Sequence, residues 1–297
     1  MNETKIKTNS FKAWLLAARP KTLTGAAVPV MIGLAAAWKD LGGNTFDFIP
    51  AVLCMLFAFL MQIEANFVND YFDWKKGNDD EDSRLGPLRA CSQGWVTPRA
   101  MVIAMIITMA VACFVGLPLV MYGGWEMILV GISCVVFCVL YTTLFSYHGL
   151  GDVLVLVFFG IVPVCLTYYL QTGVFTTSVL TLSVACGLAV DNLLIVNNYR
   201  DIDNDRRDGK ITLIVRIGKE NGSMLYLHFG LVAAFTAMAI CHFSLVTIIM
   251  VLYLFLHRKA FLTLRTLQGR ELNRVLGITA RNIFIYGILT SLILIIA

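Results

Sequence analysis

Nine apolar runs, each about as long as a bilayer-crossing helix, dominate the chain. They lie at roughly Pro20–Trp38, Ile49–Phe72, Ala100–Met121, Trp125–Phe145, Asp152–Leu170, Ser178–Tyr199, Ser223–Cys241, Phe243–Leu264 and Val275–Ala297. Polar residues are largely confined to the connections between them. The pattern predicts an all-α integral membrane protein with nine transmembrane helices. His257, Arg258 and Lys259 cut into the eighth run and are expected to shorten it. The first 19 residues are polar and mixed, with no small-residue cleavage site ahead of a short apolar core. The first run is therefore read as a mature helix rather than a signal. No linker or low-complexity tract divides residues 1–297, so one domain is expected.

Composition supports this reading. The chain is 58% hydrophobic and 14% charged, with a mean hydropathy of +0.77. A soluble domain is nearer a quarter charged. The charges also fix an orientation. Of 23 Lys and Arg residues, 22 fall in the N-terminal arm and in alternate connections; only Lys39 lies on the other side. The positive-inside rule then places the N-terminus in the cytoplasm and, with an odd number of spans, the C-terminus outside. The basic residues are dispersed rather than clustered with stacking aromatics, which excludes a nucleic-acid surface. Seven of eight cysteines lie inside predicted spans and no C-x-x-C occurs, so they are read as small buried hydrophobes rather than disulfides or zinc ligands.

Two acidic strings break the apolar pattern. Asn66-Phe-Val-Asn69-Asp70-Tyr-Phe-Asp73 closes the second run, and Asn197-Asn-Tyr199-Arg200-Asp201-Ile-Asp203-Asn-Asp205 closes the sixth. Both are expected at the cytoplasmic rim, followed by the two longest cytoplasmic connections. Residues three or four apart share a helix face. Asn66, Asn69, Asp70 and Asp73 therefore point one way, as do Asn197, Asp201 and, if the helix continues, Asp205. Carboxylates at helix C-termini meet an already negative dipole end and are costly unless cations neutralise them. Hard oxygen ligands without thiolate or imidazole suit Mg²⁺ or Mn²⁺. Two such helix ends would hold two Mg²⁺ ions with a diphosphate between them. Lys21, Lys76, Arg84, Arg89, Arg200 and Lys210 are the candidate diphosphate-binding cations. Asp79 to Asp82 read as a solvated segment instead. Glu64 and Asp191 lie deeper, as intramembrane acids whose roles stay open.

These strings resemble the motifs of the UbiA superfamily of intramembrane prenyltransferases, and the resemblance spans most of the chain. Arg19-Pro-Lys21-Thr-Leu23, Arg84-Leu-Gly86-Pro-Leu-Arg89 and the stretch from Tyr199 through Gly209-Lys210 to Gly218 are similar to the branch whose acceptor is 1,4-dihydroxy-2-naphthoate. One departure is Gly77, where many members carry a further aspartate; another is the additional Asp203.

The resemblance implies a polyprenyl diphosphate donor and an aromatic acid acceptor. The metal-bound diphosphate leaves, an allylic cation or cation-like transition state forms, and the electron-rich ring attacks. For the naphthoate branch the result is loss of CO₂ and diphosphate, giving demethylmenaquinol in menaquinone synthesis. Asp70, Asp73, Asp201 and Asp205 are then the catalytic carboxylates. A cation needs a dry pocket, so the helices are expected to surround a central cavity open to the cytoplasm and laterally to lipid, where the prenyl tail lies. Tyr71, Tyr141, Tyr147 and Tyr199 are candidate cation-stabilising or acceptor-facing rings. Arg19 binds the acceptor or diphosphate, or anchors the helix. A bacterial cytoplasmic membrane location follows.

Two other readings have different signatures. Another aromatic acceptor, such as 4-hydroxybenzoate, would be separated by assay with a panel of acceptors. An ion-coupled transporter would place its acids near the bilayer midplane, whereas these clusters lie at one rim.

Overall fold

A computed structural model describes residues 6–43, 45–77, 84–143 and 149–297. Asp79 to Asp82, Phe145, Tyr147 and His148 lie outside the described residues. Among the described residues every regular element is helical: α1 (Phe11–Ala18), α2 (Leu23–Leu41), α3 (Phe48–Lys76), α4 (Pro98–Gly116), α5 (Val120–Gly123), α6 (Glu126–Thr143), α7 (Gly151–Leu156), α8 (Val162–Thr172), α9 (Thr177–Arg207), α10 (Leu213–Ile240), α11 (Met250–Thr266) and α12 (Leu272–Ile296). Eight helical segments of the described residues are long and apolar enough to cross a membrane. Glu126–Tyr141 is a shorter apolar helix in the place of the fourth expected span.

Local chemistry sets the helix ends. Asp47 accepts from Ile49 N at 2.8 Å to start α3, and the hydroxyls of Thr97, Thr176 and Thr212 accept the corresponding N–H bonds at the starts of α4, α9 and α10. Gly77, at φ 68°, closes α3 four residues past the end of its acidic string. Gly218, at φ 83°, breaks α10 and leaves a short turn ahead of the longer span.

Central α9 is the most buried of the spans and α4 the least. Small residues permit close packing. A Cβ on Gly33 would lie 2.7 Å from the Val164 carbonyl, and one on Gly160 would lie 2.6 Å from both Gly187 Cα and Ser183 O. Gly160 sits in a π turn, Val157–Ile161, that joins α7 to α8. Pro163 lacks the N–H that would reach the Phe159 carbonyl in a regular helix. Cys186 Sγ approaches that carbonyl at 4.0 Å.

One element lies ahead of the predicted runs: α1, in the N-terminal arm, is capped by Ser10 and buries Ala13 and Ala17 against Phe67, Ala90 and Met101. One expectation needs correction. The eighth span is not cut short at His257, because α11 runs on to Thr266. The His257 imidazole Nε2 lies 3.1 Å from Tyr226 O and 3.2 Å from Leu227 O, and its ring stacks on Tyr226 and Tyr253. The buried polar group is therefore satisfied, while Arg258 and Lys259 face outward. A Cβ on Gly230 would lie 2.1 Å from His257 Nε2. Gly230→Ala is expected to displace the ring and cost about 2 kcal/mol, read as a lower Tm in detergent.

Candidate active site

Both strings arrive at one end of the bundle. Arg84, just after α3, lies within electrostatic range of Asp73 on α3 and Asp201 on α9. The segment from Arg84 to Cys91 laces the two helices together. At one end, Ala90 N and Cys91 N each donate to an Asp70 carboxylate oxygen at 2.8 Å. At the other, Asn273 Nδ2 donates to Leu85 O at 2.8 Å, and Asn273 Oδ1 accepts from Arg200 Nη1 at 2.7 Å. Gly86 passes so close over Arg200 that a Cβ there would sit 2.8 Å from Nη2. Arg200 itself donates through Nε and Nη2 to the two oxygens of Asp201, at 2.8 and 2.6 Å. This is the bidentate geometry only arginine supplies.

The carboxylates differ in their freedom. Asp70 is buried and Arg19 Nη2 approaches it at 3.8 Å. Asp73 pairs with Arg89. The side chains of Asp73 and Asp201 are 23% and 28% exposed, so each keeps accessible acceptor positions. Asp205 falls inside α9, which does continue that far. Its Oδ1 faces Lys210 at 3.5 Å, and its Oδ2 is buried with no hydrogen-bond partner among the described residues. Asn66 is buried and donates through Nδ2 to Ala18 O and Thr22 Oγ1, both at 2.9 Å, which ties α3 to the chain around Arg19. Asn69 and Asn197 are half-buried beside their aspartates.

The cations are equally dispersed in role. Arg19, Arg84, Arg89 and Arg200 gather around the strings, whereas Lys21 and Lys76 are exposed. Desolvation pulls the Arg84 guanidinium down to about 10, with repulsion from Arg89 next, opposed by Asp73 and Asp201. It stays charged at neutral pH, and an added anion would relieve that repulsion. Of the aromatic candidates, Tyr141 lies within electrostatic range of Asp73, Asp152 and Asp191 and lines a small cavity. Tyr71 packs with α1 and stands edge-on to Phe72; Tyr199 packs among α9, α11 and α12. Asn273 and Asp152 carry no periodic or motif signal in the sequence, yet they complete this end of the bundle.

Among the described residues, no three acidic, imidazole or thiol groups already converge on one point. The donor set nevertheless fits a hard divalent cation. All candidate ligands are oxygens, and the orphan Asp205 Oδ2 is a buried acceptor that needs a partner.

A family model for the UbiA prenyltransferase family matches residues 26–289, so the chain belongs to that family. It is a multi-pass membrane prenyltransferase. It is 40% identical over 220 residues to the 1,4-dihydroxy-2-naphthoate octaprenyltransferase of Escherichia coli, covering 71% of this chain and 70% of the relative. In fold it matches a UbiA homologue from Aeropyrum pernix with a TM-score of 0.66 at 15% identity, covering 89% of this chain and 98% of that one. A homologue from Archaeoglobus fulgidus, solved with DMAPP and Mg²⁺, matches with a TM-score of 0.60 at 14% identity, covering 94% and 98%.

Proposed function

We propose that this chain transfers a polyprenyl group from a polyprenyl diphosphate to 1,4-dihydroxy-2-naphthoate, with loss of CO₂ and diphosphate. The product is demethylmenaquinol, which oxidises to demethylmenaquinone. The observation that carries this reading is that Asp73 and Asp201, paired with Arg89 and Arg200, both lie within electrostatic range of one further guanidinium, Arg84. Carboxylates and arginines in alternation suit a metal–diphosphate pair, which brings both signs of charge. The name of the Escherichia coli relative supports the acceptor, and the homologue solved with DMAPP and Mg²⁺ supports the donor and the metal.

Asp70, Asp73, Asp201 and Asp205, with Asn66, Asn69 and Asn197 beside them, would hold Mg²⁺, two ions in the full reading. Mg²⁺ when bound neutralises the diphosphate and stabilises it as a leaving group. The chain's own groups do the rest. Arg84, Arg89, Arg200 and Lys210 take the remaining negative charge, and the segment from Arg84 to Cys91 roofs the site against water. Tyr141 offers a ring to developing positive charge. The apolar helices exclude water that would quench the cation, and the tail lies toward lipid. The 22 basic residues on one side support a cytoplasmic N-terminus and site in a bacterial inner membrane, with the C-terminus outside.

The test is a mass spectrum of the product. Purified enzyme receives one polyprenyl diphosphate, Mg²⁺, and dihydroxynaphthoate, 4-hydroxybenzoate or homogentisate in turn. Prenylated, decarboxylated naphthoquinol is expected, with activity lost in EDTA and restored by Mg²⁺ or Mn²⁺. Turnover of hydroxybenzoate but not of the naphthoate would overturn the acceptor.

A further inference from the structure

Two acids that the metal and diphosphate reading does not use meet inside the bundle. Asp191 on α9 is 2% exposed, and its carboxyl lies within interaction range of that of Asp152 in the first turn of α7. Two neighbouring carboxyl groups that share a proton keep acceptor positions for a further donor. Among the described residues, neither Asp152 Oδ1 nor Asp191 Oδ1 has a hydrogen-bond partner, and a buried unpaired carboxyl oxygen is costly to maintain.

The pair borders a cavity. Asp152 lines it together with Tyr141, Leu194, Asn198 and Lys210. Asp191, Leu194 and Asn198 are spaced i, i+3, i+7, so Asp191 continues the cavity-facing stripe of α9. The cavity volume is about 20 Å³, room for one water-sized group. Lys210 is the cation facing Asp152, and it also reaches Asp205 of the second string. Tyr141 lies within electrostatic range of both members of the pair and of Asp73 in the first string. The pair therefore adjoins the site where the strings converge, without belonging to either string.

We propose that the Asp152–Asp191 pair is the acceptor-recognition site, accepting a hydrogen bond from a ring hydroxyl of the aromatic substrate. This rests on the proposed reaction, in which the acceptor is a hydroxylated aromatic acid. A carboxyl oxygen accepting from that hydroxyl orients the ring beside Tyr141. It also draws the O–H proton toward the protein, which makes the ring a better nucleophile. A pocket built to bond a hydroxyl rejects an analogue that lacks one more strongly than an apolar pocket does.

The test measures binding without prenyl diphosphate, using the full-length enzyme in detergent and tryptophan fluorescence or calorimetry. Ligands come in pairs: 1,4-dihydroxy-2-naphthoate against 2-naphthoate, and 4-hydroxybenzoate against benzoate. The wild type is expected to favour a hydroxylated ligand over its deoxygenated partner by about tenfold or more. Asp152→Ala, and separately the closer-to-isosteric Asp191→Asn, are expected to bring that ratio to within about threefold of unity. Affinity for the deoxygenated ligand is expected to stay unchanged. A merely structural role would move both ligands together. Retention of the hydroxyl preference in both variants overturns the proposal, as does its absence from the wild type. If the preference appears only with the benzoate pair, the naphthoate assignment fails while the role of the acid pair stands.

Discussion

Alanine at Asp70 or at Asp201 is expected to lower prenyl transfer by about a thousandfold or more, while the protein still inserts in the membrane. The two losses have different physical content. Asp70 is buried and accepts from Ala90 N and Cys91 N, so its removal leaves two backbone donors unsatisfied and loosens the roof over the site. That carries a stability cost of about 1–3 kcal/mol as well. Asp201 is more exposed and is held by Arg200. Its removal leaves the buried Arg200 guanidinium with Asn273 and a surplus of positive charge. Asp201→Ala should therefore lose the metal-dependent step and also lower stability, through the uncompensated guanidinium rather than through the roof. Measured turnover with circular dichroism and melting of both purified variants separates these effects. Full activity in either variant would remove the cation-site assignment.

The second large effect concerns the scaffold. Gly160→Val is expected to destabilise the protein by roughly 3 kcal/mol, because atoms added there meet backbone rather than a yielding side chain. The Cβ alone would lie 2.6 Å from Gly187 Cα and from Ser183 O. The α7–α8 segment would be driven away from α9, and Asp152 would move with it. Gly131→Ala on α6 is the control, since no atom of the described residues lies within 4 Å of its added Cβ. A melt in which Gly160→Val matches the wild type would contradict the close packing of the π turn on α9.

Much of this architecture is legible in the sequence because the membrane leaves few solutions. A segment in lipid must satisfy its backbone internally, so long apolar runs read directly as helices. The two strings stand out for the same reason: acids at the end of an apolar run are costly unless a cation neutralises them. Other features are invisible because they depend on long-range contact. The arm around α1 looks polar, yet Ala13 and Ala17 fit against Phe67 and Met101. His257 looks like a terminator until the Tyr226 and Leu227 carbonyls are seen beside its ring. Arg200 and Asn273, 73 positions apart, form a tie that no periodicity announces. The approach of Asp191 to Asp152 is of the same kind. Each acid alone is an ordinary intramembrane residue, and only the packing of α7 on α9 makes them one group.

The most direct measurement is an anomalous-diffraction map of the enzyme crystallised with Mn²⁺ and a non-hydrolysable prenyl diphosphate analogue. The account predicts manganese density at the meeting of α3 and α9, with oxygens of Asp70 or Asp73 on one side, Asp201 or Asp205 on the other, and the diphosphate between. Manganese bound elsewhere, or a diphosphate seated away from both acidic strings, would contradict it.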